Sequence, residues 1–158
     1  MNLTDKQMAE YCQRSYTAVD GLWFVKLEER FGFDSALEID NEVWKILPKI
    51  QARLLKSMLR AADGLTGLRE CLAAKYTIEG YKFEIQENAD GITISFHQCP
   101  WHDKMIRSGR EHLSGKVGSV ICKTEYDVWA KEFGDLRFEL QNQLCAGGGS
   151  CALRFVCR

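Results

Sequence analysis

The sequence predicts an α+β fold in which an antiparallel four-stranded sheet, made of two hairpins, packs against N-terminal and inserted helices. Residues 1–78 follow the helical period, and residues 79–158 read as hairpin, helices, hairpin. The hairpin segments alternate apolar and polar residues around turn-forming residues. Hairpins joined by helices fit an antiparallel sheet better than a parallel, doubly wound one.

The N-terminal half is predicted to be mainly helical. Thr4 and Gln7 have the spacing of a capping box, and Gly32 is placed to end the long helix that follows. A second helical pattern begins at once. Because proline lacks the amide hydrogen that a helix interior needs, Pro48 is expected to break that pattern near residues 45–48.

The second half contains the two predicted hairpins. Residues 81–96 alternate around an Asn-to-Gly turn at residues 88–91, which is a strong hairpin signal. Residues 99–133 return to the helical period, and we expect two helices separated near Gly115 or Gly118. A second pair of strands around the run "CAGGGSC" ends the chain. Since strand pattern and not a helix follows these glycines, they do not form a phosphate-binding loop.

Length and composition indicate one soluble domain spanning residues 1–158. The chain has 46% apolar residues, and its 21 Lys and Arg are balanced by 22 Asp and Glu, which excludes a strongly basic nucleic-acid-binding surface. No signal pattern and no apolar stretch long enough to span a membrane is present, so we expect a cytoplasmic protein. In a reducing compartment the seven cysteines are expected to be free thiols.

Cysteine and histidine residues cluster in the last third of the chain at the ends of predicted elements. Cys145 and Cys151 flank a glycine run, so pairing of their strands would bring them close together. With Cys99 and either Cys122 or His102, they would complete the ligand set of a zinc ion or an iron–sulfur cluster. The alternative is that these cysteines fill gaps in the core, since cysteine is among the most buried residue types.

Cys99 is also a candidate nucleophile. Pro100 favours a helix start directly after Cys99, and the free amides and dipole of a helix N-terminus lower the pKa of a thiol. His102, one turn further on, or His97 would serve as the general base. The alternative is an ordinary hydrogen-bonded histidine.

A small-molecule pocket is predicted between the helices and the sheet. Trp101 is one of several tryptophans that could form its wall, although most such residues are simply core. Asp40 lies on an apolar helical stripe and must be paired or protonated if that stripe is buried, with Arg53 as the candidate partner. Such a pair would bind a zwitterion or carboxylate; the alternative is a solvated or purely structural pair.

The segments "CPWHDKM", "ICKTEYDVWAKEF" and "GGGSCALRF" resemble the family of L-2-amino-thiazoline-4-carboxylic acid hydrolase, and more distantly the vinyl-reductase-type ligand-binding domains. The N-terminal segments "VDGLWFVKLEERFG" and "ALEIDNEVW" resemble uncharacterised members of the same group. The resemblance implies an antiparallel four-stranded sheet and recurring cysteines at Cys99, Cys122 and Cys151. His102 and Cys145 are additions to that pattern that suit metal ligation.

Three functional hypotheses follow. The first is a small-ligand-binding domain with a cysteine-rich site for zinc or an iron–sulfur cluster. The second is a metal-independent hydrolase of small cyclic C–N substrates that uses Cys99. The third is a non-catalytic interaction or sensor module that forms a homodimer through its long N-terminal helices.

Overall fold

A computed structural model describes residues 2–157 of the chain. These residues divide into two compact units, one up to Glu42 and one from Val43 onward, and each is described by itself. Within the described range, no helix combines the length and the apolar character that crossing a membrane requires.

The order of elements is helices, hairpin, helices, hairpin, as the sequence predicts. The elements are α1 (Asp5–Phe31), α2 (Phe33–Trp44), α3 (Leu47–Leu59), α4 (Gly64–Glu79), β1 (Lys82–Asn88), β2 (Gly91–Gln98), α5 (Pro100–Arg107), α6 (Glu111–Glu132), β3 (Leu136–Asn142), a 3-10 turn (Leu144–Ala146) and β4 (Cys151–Cys157). The predicted α+β class with an antiparallel four-stranded sheet is confirmed.

The ends of the N-terminal helices follow local sequence signals. The Thr4 hydroxyl accepts a hydrogen bond from the Gln7 backbone N–H at 3.2 Å, and the Thr4 N–H donates to the Gln7 side chain at 2.9 Å, which completes the predicted capping box. Gly32 ends α1 with a φ of 85°, a conformation that favours glycine. Pro48 lies in the first turn of α3, where its missing N–H costs nothing, so the predicted break is confirmed.

The sheet has the strand order β1-β2-β4-β3, and each neighbouring pair is antiparallel. Its core-facing side chains stand opposite one another, with Ile94 paired to Leu153 and Phe138 to Phe155. Helices α4 and α6 contact the sheet, and α3 packs on both of them. Tyr76 and Trp129 are fully buried in this core. Burial of such large side chains is the main favourable term for this unit.

The predicted helix break near Gly115 or Gly118 is wrong. Helix α6 runs through both positions without interruption, and the break lies earlier, where Gly109 adopts a φ of 71° between α5 and α6. Both misread glycines meet the backbone or side chain of Cys145 at their Cα hydrogens. Glycine at these positions therefore allows the segment that contains Cys145 to approach the helix closely, and it does not form a turn.

Candidate metal and ligand site

Strand pairing brings Cys151 and Cys99 to the same end of the sheet. Cys151 begins β4 opposite Phe96 of β2, and Cys99 lies three residues beyond Phe96 at the N-terminus of α5. Cys99 keeps an extended backbone with φ −116° and ψ 115°, as expected for a residue before proline. The predicted placement of Cys99 at the start of a helix is confirmed.

Helix α6 and the 3-10 turn place the other two cysteines. The sulfur of Cys145 lies against Gly118, where a Cβ atom would overlap it. Cys122 lies four residues after Gly118, on the same face of α6. Gln143 Nε2 donates to the Gly118 carbonyl at 3.0 Å and holds the turn on the helix. The Leu144 N–H lies 3.3 Å from the sulfur of Cys151, which joins the turn to β4.

The thiols of Cys99, Cys122, Cys145 and Cys151 affect one another electrostatically. Burial raises the pKa of Cys122 well above its ordinary value, and negative charge on Glu125 and on the other three cysteines raises it further. Burial also raises the pKa of Cys151 to about 11, against the effect of the Leu144 N–H. Four elements thus bring the predicted cysteines into one region, which we call the cysteine cluster.

Cys99 does not have the character of an activated nucleophile. Burial raises the pKa of the Cys99 thiol, although the backbone N–H groups of His102 and Trp101 and the side chain of Tyr81 act in the opposite direction. The expected lowering by the helix N-terminus is therefore outweighed by desolvation. The catalytic roles of Cys99 and His102 stay predictions.

The residues of the cysteine cluster are of types that bind metal ions, but their side chains are not positioned to share one ion. All seven cysteines are free thiols. Among residues 2–157, no three His, Cys, Asp or Glu side chains are positioned to share one metal ion. The Nδ1 atom of His102 is buried and has no hydrogen-bond partner within that part of the chain. Soft sulfur donors and an imidazole nitrogen without a partner are the ligand types that a thiolate-binding metal prefers.

The other predicted binding residues are Trp101, Arg53 and Asp40. Trp101 packs edge-to-face on Trp44, with 6.1 Å between ring centroids, and Lys104 Nζ lies 5.1 Å from the Trp101 ring. Arg53 donates to the carboxylate of Glu132 on α6 at 2.7 Å. Asp40 is half-buried on α2, in the first unit. Arg53 thus has a structural partner, and the ligand-binding roles of Asp40, Arg53 and Trp101 stay predictions.

A family model of a family of unknown function, DUF6125, matches residues 5–157, nearly the whole chain. The chain belongs to DUF6125. No protein of curated function matches it. Among solved structures, the chain is similar to the crystal structure of the phenol-responsive sensory domain of the transcription activator PoxR with phenol, with a TM-score of 0.49 and 14% identity over 88% of this chain and 72% of that one. The resemblance of this DUF6125 chain to thiazoline-carboxylate hydrolases stays a prediction.

Sequence reasoning missed a buried ion network beside the cysteine cluster. Lys75 is only 3% exposed, and its Nζ lies 2.6 Å from a Glu79 oxygen and 2.9 Å from a Glu125 oxygen. Burial alone lowers the pKa of Lys75, but Glu125 and Glu79 more than reverse this and raise it above its ordinary value. The sequence contains a signal for this network, because Lys75 is a charged residue one turn after Cys71 on the apolar face of α4.

Trp129 carries a buried polar atom without a partner near this network. Trp129 Nε1 forms no hydrogen bond with any described residue, whereas the Tyr76 hydroxyl interacts with Tyr126 and Glu125 Oε1 lies 2.9 Å from Lys75 Nζ. Trp129 is fully enclosed by the core. Since an unsatisfied buried polar atom is costly, Trp129 Nε1 is suited to bind an ordered water or a small polar molecule.

Proposed function

We propose that this DUF6125 chain is a small-ligand-binding module whose cysteine cluster holds a zinc ion. What supports the proposal is that Cys99, Cys122, Cys145 and Cys151, from four separate elements, lie close enough to affect one another's thiol pKa. Thiolates are preferred zinc ligands, and four of them form a closed structural site. An iron–sulfur cluster on the same cysteines is the alternative.

A bound cation would reverse the effect of burial on the four thiols. Burial raises the pKa of each of the four thiols, so neutral thiols cannot easily become thiolates without a positive charge nearby. A dication stabilises the thiolates and releases their protons. The side chains would have to move to bring the sulfurs to ligand distance, and His102, whose buried Nδ1 has no partner among the described residues, is a candidate substitute ligand. With three protein ligands, an open position would give zinc a Lewis-acid role.

The small-ligand part of the proposal rests on the unpartnered, fully buried Trp129 Nε1. A molecule with one hydrogen-bond acceptor would satisfy this donor inside an otherwise apolar, aromatic core. An experimental structure of the purified chain should show an ordered water or small molecule within hydrogen-bond distance of Trp129 Nε1. A direct bond from Trp129 Nε1 to a protein acceptor would contradict this part.

Elemental analysis tests the metal site directly. The full chain, purified anaerobically with reductant, should contain about one zinc per chain, and cobalt substitution should produce a thiolate-to-cobalt charge-transfer band. Cys122→Ser should lose the metal, whereas Cys157→Ser, which changes an exposed thiol at the end of β4, should keep it. Detection of iron and sulfide in a brown preparation would show that the site holds an iron–sulfur cluster and not zinc. Metal-free protein whose melting temperature does not respond to zinc would overturn the proposal.

A further inference from the structure

Helix α1 carries a continuous apolar surface that its own unit does not bury. None of its 27 residues is buried. Large apolar side chains with exposed fractions from 47% to 70% follow one face of the helix, namely Met8, Tyr11, Val19, Leu22 and Trp23. We call these five residues the α1 stripe. Soluble monomers rarely leave an apolar surface of this length uncovered.

The α1 stripe has the spacing of a helix–helix contact. Met8 and Leu22 are two heptads apart, with Ser15 between them, and Tyr11 and Val19 fall at the intervening turns. This is the period at which two helices pack along a shared seam. Most half-buried residues of α1, including Gln13, Tyr16, Asp20, Phe24 and Leu27, lie on another face, although Ser15, which lies between residues of the stripe, is also half-buried. The large side chains of the stripe therefore lie mostly away from the half-buried face.

The ends of the stripe carry opposite charges. Asp5 lies one turn before Met8, and Lys26 lies one turn after Trp23 on the same side of the helix. In an antiparallel pair of identical helices centred near Ser15, Asp5 of each copy would lie opposite Lys26 of the other. Lys26 also pairs with Glu29 at 2.7 Å, but both side chains are exposed, so this bond is weak and exchangeable.

The same register would place Met8 opposite Trp23, Cys12 opposite Val19 and Leu22 opposite Ala9. Small side chains at the centre, including Ser15, would let the two backbones approach closely. An identical patch that meets itself across a two-fold axis is the commonest way in which soluble chains associate.

A second copy would cover the exposed apolar side chains of the α1 stripe together with its polar margins. We propose that the chain forms a two-fold homodimer in which α1 packs antiparallel against α1 of a second copy, with Ser15 near the axis.

Sedimentation velocity and light scattering of the full chain test the interface. The wild-type protein should be a dimer at micromolar concentration, and Leu22→Glu should be a monomer with unchanged helix content by circular dichroism. Ile50→Glu is the matched control, because Ile50 is exposed to a similar degree on α3 and should leave the dimer intact. A monomeric wild type, or a dimer that Ile50→Glu disrupts and Leu22→Glu does not, would overturn the proposal.

Disulfide crosslinking tests the antiparallel register. In a Cys12→Ala background, Ser15→Cys should form a disulfide between residues 15 of the two copies on mild oxidation with oxidised glutathione. Met8→Cys should not pair with itself, since residues 8 of antiparallel copies would be about 22 Å apart along the helix. A disulfide between two residues 8, identified by mass spectrometry, would show a parallel pair and contradict the register.

Discussion

The backbone of α6 at Gly118 is in direct contact with the sulfur of Cys145. Glycine in a helix interior costs about 0.5–1 kcal/mol relative to alanine. Gly115, one turn earlier, meets the backbone carbonyl of Cys145 in the same way, and Ser114 Oγ lies 3.5 Å from that carbonyl. Glycine at these two positions lowers the intrinsic stability of the helix, but it allows the turn that carries Cys145 to pack against it.

Gly118→Ala should displace Cys145 from the cysteine cluster. The new methyl group would overlap the sulfur, so we expect zinc affinity to fall at least tenfold, measured by competition with a chromophoric chelator. Gly21→Ala is the matched control, since Gly21 is also inside a helix but has no atom close to the position of a Cβ. It should keep the affinity and raise the unfolding free energy by about 0.5–1 kcal/mol. Equal affinities of the two variants would show that Cys145 is not a ligand.

Lys75→Met should strongly destabilise the second unit. The substitution keeps the apolar stem but leaves Glu79 and Glu125 as buried acids without their cation. We expect the unfolding free energy at pH 7 to fall by about 3–5 kcal/mol in denaturant titration. Adding Glu125→Gln should recover part of this loss, because one buried carboxylate is removed. A loss below about 1 kcal/mol would mean that the three groups are solvated.

Tyr76→Phe should reduce the loss of unfolding free energy that occurs when the pH rises above 10. Burial raises the pKa of Tyr76 above its ordinary value, so the folded chain keeps this proton while the unfolded chain loses it above about pH 10. Stability due to Tyr76 is therefore complete below pH 10 and declines above it, by about 1.4 kcal/mol for each pH unit.

The phenylalanine variant lacks this proton and should lose less stability. At pH 7 the variant should be less stable by about 1 kcal/mol, because it loses the interaction of the Tyr76 hydroxyl with Tyr126. Between pH 7 and pH 11 the wild type should lose about 1.4 kcal/mol that the variant keeps, so this difference should vanish or reverse. Parallel pH dependence of the two proteins would show that Tyr76 is accessible to water.

Arg53→Ala should have a small effect. The side chain of Arg53 is largely exposed, and its bond to Glu132 lies at the protein surface. We expect the unfolding free energy to fall by less than about 1 kcal/mol, with a coupling energy of similar size in a double-mutant cycle with Glu132→Gln. A much larger coupling would mean that this pair is shielded from solvent.

Local signals in the sequence were sufficient for most of the fold. Capping by Thr4 and Gln7 and the helix start at Pro48 depend on neighbours within a few residues, so pattern alone locates them. The hairpins follow from alternation and turn residues for the same reason. The roles of Gly115 and Gly118 could not be predicted, because they depend on a segment about 30 residues further along the chain.

For the site, the sequence by itself determined which residues are available, namely cysteines 99, 122, 145 and 151, and that a long helix begins the chain. Only the tertiary structure decided that these thiols lie close enough to affect one another's pKa, that desolvation raises the pKa of Cys99 where a helix N-terminus alone would lower it, and that Arg53 pairs with Glu132. The physical reason is that burial and charge pairing depend on atoms brought together from distant parts of the chain. The periods of helices and strands depend only on the order of neighbouring residues.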